Sequence, residues 1–201
     1  MTDARQRSPS TARNREPILD VLKRVLPADG KVLEIASGSG EHAVFVAAAM
    51  PGLDWRPSDP DPAARASIAA WIAVAALANV RAPLDIDVGK DDWGVGGGFD
   101  AIVSINMIHI SPWASGLGLL TGAARLLKSG GVLYLYGPFM RDGAHTAPSN
   151  EAFDASLKSR DPSWGVRDLA DVKREARARG LTPREVVEMP ANNLSVIFEK
   201  T

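Results

Sequence analysis

The residues best suited to chemistry sit in Val32-Leu33-Glu34-Ile35-Ala36-Ser37-Gly38-Ser39-Gly40-Glu41-His42-Ala43 and in Ser58-Asp59. An apolar run ends in an acid, passes through a turn of small residues and enters a helix-like stretch. A second acid, Asp59, follows about 20 residues beyond the glycine pair. A strand–turn–helix of this kind brings backbone N–H groups up to a nucleotide-like ligand. An acid at the end of the next strand can then hold ribose hydroxyls.

Two ligands compete for this turn. Gly38-x-Gly40-x-x-Ala43 followed by Asp59 matches the dinucleotide fingerprint, which implies an NAD-dependent oxidoreductase. Carboxylates at Glu34 and Glu41 would repel a pyrophosphate at that helix start. Glu34 suits S-adenosylmethionine (SAM), whose ammonium it can bind, or it fixes the glycine loop; the terminal hairpin and the lack of a further substrate domain point the same way. The expected cofactor contacts are Glu34, Ala36, Ser37, Gly38, Gly40, His42 and Asp59. Ala36 stands where methyltransferase loops usually begin with glycine. Asp59 alternatively serves as a turn acid in Ser58-Asp59-Pro60-Asp61-Pro62. Asp87 follows a further strand and either meets the adenine amino group or is simply solvated. Trp93 either stacks on adenine or packs in the core.

The elements that must position these residues follow from periodicity. Apolar spacing predicts a helix over 17–26 with Asn14 as its cap, a strand over 31–35 and a helix over 41–50. Strands are expected over 53–57, 80–84, 99–105 and 132–136, and helices over 62–78 and 113–127. The stretch 137–161 reads as loop, followed by a helix over 167–179. Strands over 184–189 and 194–198 joined by a short link imply an antiparallel hairpin. Alternating strands and helices predict an α/β, Rossmann-like three-layer sandwich. Its seven-stranded, mostly parallel sheet with a terminal antiparallel hairpin is like that of class I SAM-dependent methyltransferases.

Composition bounds the reading further. The 201 residues are 45% hydrophobic and 23% charged, with a formal charge of −1. That is ordinary for one globular domain, here expected over 13–201, and gives no steering toward nucleic acid or anionic lipid. Absence of cysteine excludes thiolate catalysis and Cys-ligated zinc, and with only three histidines no metal site is expected. No apolar run reaches membrane-spanning length. Arg5, Arg7, Arg13 and Arg15 sit among Ser and Thr, but Asp3 and the lack of an apolar face argue against a targeting peptide. Residues 1–12 are therefore expected to form a flexible arm of a cytoplasmic protein, monomer or homodimer.

Several longer strings are more specific. Arg13-Asn14-x-x-Pro17-Ile18, Trp55-x-Pro57-Ser58-Asp59, Asn106-Met107-Ile108-His109-Ile110-Ser111-Pro112-Trp113 and Tyr136-Gly137-Pro138-Phe139 occur in this order. Ser149-Asn150-x-x-Phe153-Asp154, Trp164-Gly165-x-Arg167-Asp168 and Met189-Pro190-Ala191-Asn192-Asn193-Leu194 follow. Over roughly 9–199 the chain resembles the methyltransferase-like 26 family. The resemblance implies a SAM-binding fold, leaves the methyl acceptor open, and includes Ala36 and His42 in the family's own pattern. The family usually carries Thr and Gln where this chain has Ser39 and Glu41.

Methyl transfer needs an aligned nucleophile and, in some cases, a proton acceptor. His109 is a candidate general base, or alternatively a hydrogen-bonded core residue between Ile108 and Ile110. Asn106 is a candidate for orienting the acceptor and for touching the cofactor. Trp113, Tyr136, Phe139 and Trp164 either wall an acceptor pocket or pack in the core. Arg141 and Arg167 could grip an anionic group. Asn150, Asn192 and an arm carrying Arg13 and Asn14 complete the candidates. The expectation is transfer of a methyl group to nitrogen or oxygen of a small molecule. The alternative is a non-catalytic SAM-binding module of the same fold.

Overall fold

The computed structural model describes residues 3–201. Helix α1 spans Pro9–Val25, followed by β1 (Gly30–Ile35), α2 (Glu41–Ala49), β2 (Leu53–Pro57) and α3 (Pro62–Ala75). Next come β3 (Phe99–Ile105), α4 (Trp113–Leu126), β4 (Leu127–Gly137), and the short strands β5 (Phe139–Arg141) and β6 (Ala144–His145). Helix α5 (Pro148–Arg160), β7 (Arg167–Asp168), α6 (Leu169–Arg177), β8 (Leu181–Met189) and β9 (Asn193–Lys200) close the chain.

The main sheet has six strands in the order β2-β1-β3-β4-β9-β8, and β6-β5-β7 form a separate three-stranded sheet. Strands β2, β1, β3 and β4 are mutually parallel, and β9 runs antiparallel to both β4 and β8. The expected seven-stranded sheet is thus corrected to six mixed strands. Residues 80–84 form only two isolated bridges, Trp55 with Val80 and Ser58 with Leu84. Pro83 interrupts them because it has no N–H to donate to a ladder.

Side chains alternate across the sheet with the period of two that strands impose. Leu33, Ile35, Ile102, Leu133 and Leu135 face a core shared with Leu119 and Leu120 of α4 and Val172 of α6. Val32, Ala101, Val103 and Tyr134 face the opposite core with Ile18 and Leu22 of α1 and Val46 of α2. These two cores make the three layers. No helix among the described residues is long and apolar enough to cross a membrane.

Helix α1 begins eight residues before the expected Pro17, at Pro9, where the missing N–H costs nothing. Asn14 therefore lies inside the helix instead of capping it. Residues 9–12, expected in a flexible arm, belong to the same helix. Ahead of it, the Gln6 N–H donates to Ser67 Oγ at 2.8 Å and the Ser8 N–H to Glu41 Oε2 at 2.6 Å. The Trp71 indole N–H donates to the Gln6 carbonyl, and Arg5 and Arg7 lie over its ring. The start of the described chain is thereby fastened across α3 to the α2 start.

From β1 the chain moves to β2 on one side and then crosses to β3 on the other. Strand order reverses there, and the crevice at the carboxyl ends of such strands is where open α/β sheets bind ligands.

Candidate functional site

The turn after β1 is fixed by the strand beside it. The Ser37 N–H donates to the Ser58 carbonyl at 2.8 Å, and the Ser58 hydroxyl donates to the Glu34 carbonyl at 2.6 Å. The Gly38 N–H donates to Asp59 Oδ2 and the Asp61 N–H to Asp59 Oδ1, both at 3.0 Å. Asp59 therefore braces the turn, and burial raises its pKa. Each oxygen keeps a lone pair for a further donor. Glu34 is 2% exposed and accepts the Trp55 indole N–H at 2.9 Å. Burial, assisted by the charge of Asp59 and opposed by the hydrogen bonds from Trp55 and Ser37, pushes its pKa up to about 7.

The two glycines serve different ends. At Gly40, φ is +87° and an added Cβ would stand 2.8 Å from the Ile68 backbone Cα, so this glycine lets α2 close on α3. Gly38, at φ +56°, faces open space with nothing within 4 Å of such a Cβ. Gly38 is the face of the turn that a ligand can approach. Ala36 adopts φ 56° despite its Cβ, a conformation that costs roughly 1–2 kcal/mol and is held by the surrounding bonds. The Ser67 hydroxyl donates to the Ser39 carbonyl at 2.7 Å, and Glu41 Oε2 accepts the Ser39 hydroxyl at 3.1 Å. Ser58 and Ser67 brace the loop through bonds made across the fold, which no local spacing reveals.

A cavity of about 570 Å³ opens between α1, α5 and the ends of β3 and β4. Asn14 Oδ1 accepts the His42 Nε2–H at 2.9 Å, and burial, with Arg15 adding, lowers the His42 pKa to about 4. The Tyr136 hydroxyl meets the side chains of Asn14 and Asn193, and its pKa is raised by burial. Asn106, directly after β3, takes φ 64°, a left-handed conformation that asparagine tolerates. Its N–H donates to the Tyr136 carbonyl at 2.7 Å, and its side chain lines the cavity. Arg13, Asn14, Asn106, Tyr136 and Asn150 thus come together around one space.

His109 does not share that space. It is fully buried, its ring stands edge-on to Phe139 at 4.7 Å, and Nδ1 accepts the Arg167 N–H at 3.2 Å. Burial, with the Arg167 charge adding, lowers its pKa to about 3. The ring is neutral, its one acceptor nitrogen is occupied, and Nε2 has no partner. This geometry leaves no free basic nitrogen, which corrects the expectation of a general base. The His42 and His109 rings are predicted to stay neutral from pH 8 down to pH 5. Imidazole shifts followed by NMR across that range check this, and titration of either ring near pH 6.5 would contradict it.

The remaining candidates lie elsewhere. The Arg167 guanidinium donates to the carbonyls of Ile108, Ser111 and Ser163, clamping the loop after β3 to the segment before β7. It is not available to a substrate anion, and Arg141 pairs with Glu188 at 2.5 Å. Phe139 is fully buried in the core, Trp113 lies beneath Arg167 and Trp164 beneath Arg160. Trp93 is buried against Gly122 of α4, where a Cβ would stand 2.1 Å from its ring. Asp87 accepts the Gly89 N–H at 2.9 Å in an exposed turn. Asn192 is exposed, donates from Nδ2 to Ser149 Oγ at 3.4 Å and contributes its carbonyl to Asn150 Nδ2 at 2.9 Å, while its neighbour Asn193 lines the cavity.

The chain belongs to the family described as "Protein of unknown function (DUF938)", whose model matches residues 5–200. The name methyltransferase-like 26 is not attached to that match. Solved structures share the fold. An O-methyltransferase family protein from Burkholderia thailandensis superposes with a TM-score of 0.82 at 19% identity, over 96% of this chain and 57% of that one. CalO1, a methyltransferase in calicheamicin biosynthesis in its SAH-bound form, gives 0.75 at 18% identity, over 96% and 54%. The mitomycin 7-O-methyltransferase MmcR gives 0.81 at 15% identity, over 96% and 54%. The chain spans just over half the length of these proteins. At such identities the likeness establishes a methyltransferase fold.

Proposed function

We propose that this protein is a SAM-dependent methyltransferase acting on nitrogen or oxygen of a small-molecule acceptor, in keeping with its resemblance to the methyltransferase-like 26 family. The observation that carries the reading is the turn after β1. Its approachable glycine, Gly38, is braced by Asp59 and flanked by the buried Glu34, and Asn106 and Tyr136 line the polar cavity.

The donor set fits SAM. Asp59 retains lone pairs for ribose hydroxyls after accepting two backbone N–H groups. Glu41 sets a carboxylate beside the turn at the start of α2, which suits a cationic ligand and repels a pyrophosphate. SAM supplies a methyl group that forms a bond to the acceptor nucleophile as its carbon–sulfur bond breaks, the electron pair leaving with sulfur. The chain's own part is then positioning. Asn106 and Tyr136 present an amide and a hydroxyl to the acceptor, and the Arg167 clamp holds the loop that carries Asn106. With His109 neutral and occupied, no side chain is assigned as base. Proximity and orientation supply the rate, and a released proton passes to water.

The direct test is transfer of tritiated methyl from SAM into a metabolite extract. Label in a small-molecule product that Asn106→Ala reduces supports the reading. Tight cofactor binding with no label in any fraction overturns it in favour of a non-catalytic binding module. A further outcome follows for Asp59. Asp59→Ala frees the Gly38 and Asp61 N–H groups and removes the ribose acceptor. We expect S-adenosylhomocysteine affinity to fall by about ten-fold or more, some 1.4 kcal/mol, by calorimetry.

A further inference from the structure

The cavity also has a charge pattern that narrows the acceptor. Eight polar side chains line it from five parts of the chain. Besides Ser10 and Ser149, these are Arg13 and Asn14 of α1, Asn106 after β3, Tyr136 of β4, Asn150 of α5 and Asn193 at the start of β9. No Asp or Glu lines it.

Most of the uncharged groups are engaged with one another. Asn14 Oδ1 accepts a hydrogen bond from His42 Nε2–H, and the Tyr136 hydroxyl meets Asn14 and Asn193. Asn150 Nδ2 donates to Thr146 Oγ1 at 3.0 Å and to the Asn192 carbonyl, and Asn193 Nδ2 donates to the Pro190 carbonyl at 3.2 Å. Arg13 differs. Its side chain makes no ion pair or hydrogen bond with any described residue. The other arginines singled out from the sequence are consumed, Arg141 by Glu188 and Arg167 by three backbone carbonyls. The cavity therefore presents one uncommitted guanidinium, fixed neutral amides and no group able to balance a cation.

A protonated amine entering this space would meet a like charge with no carboxylate to receive it. An organic acid would meet a planar fork of donors matched to carboxylate geometry. We propose that the acceptor is a carboxylate-bearing small molecule and that Arg13 selects it by binding the carboxylate. This assignment rests on the methyltransferase reading above.

The experiment separates a small-molecule cell extract into anionic, neutral and cationic fractions and incubates each with methyl-tritiated SAM and the full chain. Label is expected in the anionic fraction, unchanged by prior phosphatase treatment. At low extract concentration Arg13→Gln is expected to cut incorporation by about ten-fold, and Arg13→Lys to retain an intermediate level because it keeps charge without the fork. S-adenosylhomocysteine affinity of both variants should match wild type, which shows that they fold. The assignment is overturned if label enters the cationic fraction or neutral molecules that carry no carboxylate. It is also overturned if phosphatase abolishes incorporation or Arg13→Gln matches wild type. Failure of the underlying reading looks different. No fraction is then labelled by wild type at all, whether or not S-adenosylhomocysteine binds.

Discussion

Alanine at Gly40 is expected to destabilise the protein by about 3 kcal/mol or more, while alanine at Gly38 costs only about 1 kcal/mol. The two positions share a left-handed backbone and differ in what lies beside it. A Cβ at Gly40 would stand 2.8 Å from the Ile68 Cα, an atom of the α3 backbone that cannot rotate away. Relief requires α2 and α3 to separate, and α3 carries Ser67, whose hydroxyl holds the Ser39 carbonyl. Loss of stability at Gly40 should therefore bring loss of ligand binding at the same turn. A Cβ at Gly38 meets nothing within 4 Å, so only the strained φ is felt in the free protein. If Gly38 is the face a ligand approaches, Gly38→Ala should fold normally and still weaken S-adenosylhomocysteine binding. Denaturant unfolding and calorimetry on the two variants separate these effects. Equal stability losses would contradict the distinct roles assigned to the glycines.

The second large effect concerns Glu34. Its pKa is raised from 4.5 to about 7 by burial, so the folded state holds a proton that the unfolded state has lost between those values. Stability from this group therefore falls as pH rises from about 4.5 to 7 and levels off above, a total of about 3 kcal/mol. Gln at this position keeps an acceptor oxygen for the Trp55 indole and cannot ionise. Glu34→Gln should match wild type near pH 4.5 and exceed it by about 3 kcal/mol at pH 7.5 and above. His42 and His109 act in the opposite sense. Their folded pKa values, about 4 and about 3, lie below the ordinary 6.5, so their contribution is full above pH 6.5 and is lost on acidification. The wild-type curve alone combines these slopes. The difference between wild type and Glu34→Gln isolates the carboxyl, and parallel curves across pH 4.5–7.5 would contradict its burial as a neutral group.

The turn after β1 and the strand beside it are legible in the sequence because their signals are local. The apolar run of β1, the small residues of the turn and Asp59 after β2 sit in sequence much as they act in space. What escaped was built from distance or from polarity. Helix α5 lies in a stretch whose sequence reads as loop because its buried face includes Asn150 and Asp154, leaving only Leu157 as an apolar marker. The strand expected over 80–84 satisfied hydropathy, yet Pro83 cannot donate to the ladder. Nothing around Ile108-His109-Ile110 discloses that Arg167, 58 residues away, occupies the imidazole. Asn192 and Asn193 are indistinguishable as a sequence pair. The turn at Pro190–Asn192, with Ala191 at φ 57° and Asn192 at φ 58°, puts Asn192 against Ser149 and leaves Asn193 lining the cavity.

The claim on which the rest depends is that the turn after β1 binds SAM and its product. Calorimetric titration with S-adenosylhomocysteine, repeated in excess NAD, tests it most directly. The account predicts micromolar binding that NAD does not displace. Displacement by NAD, or no binding of S-adenosylhomocysteine to the folded protein, would contradict it.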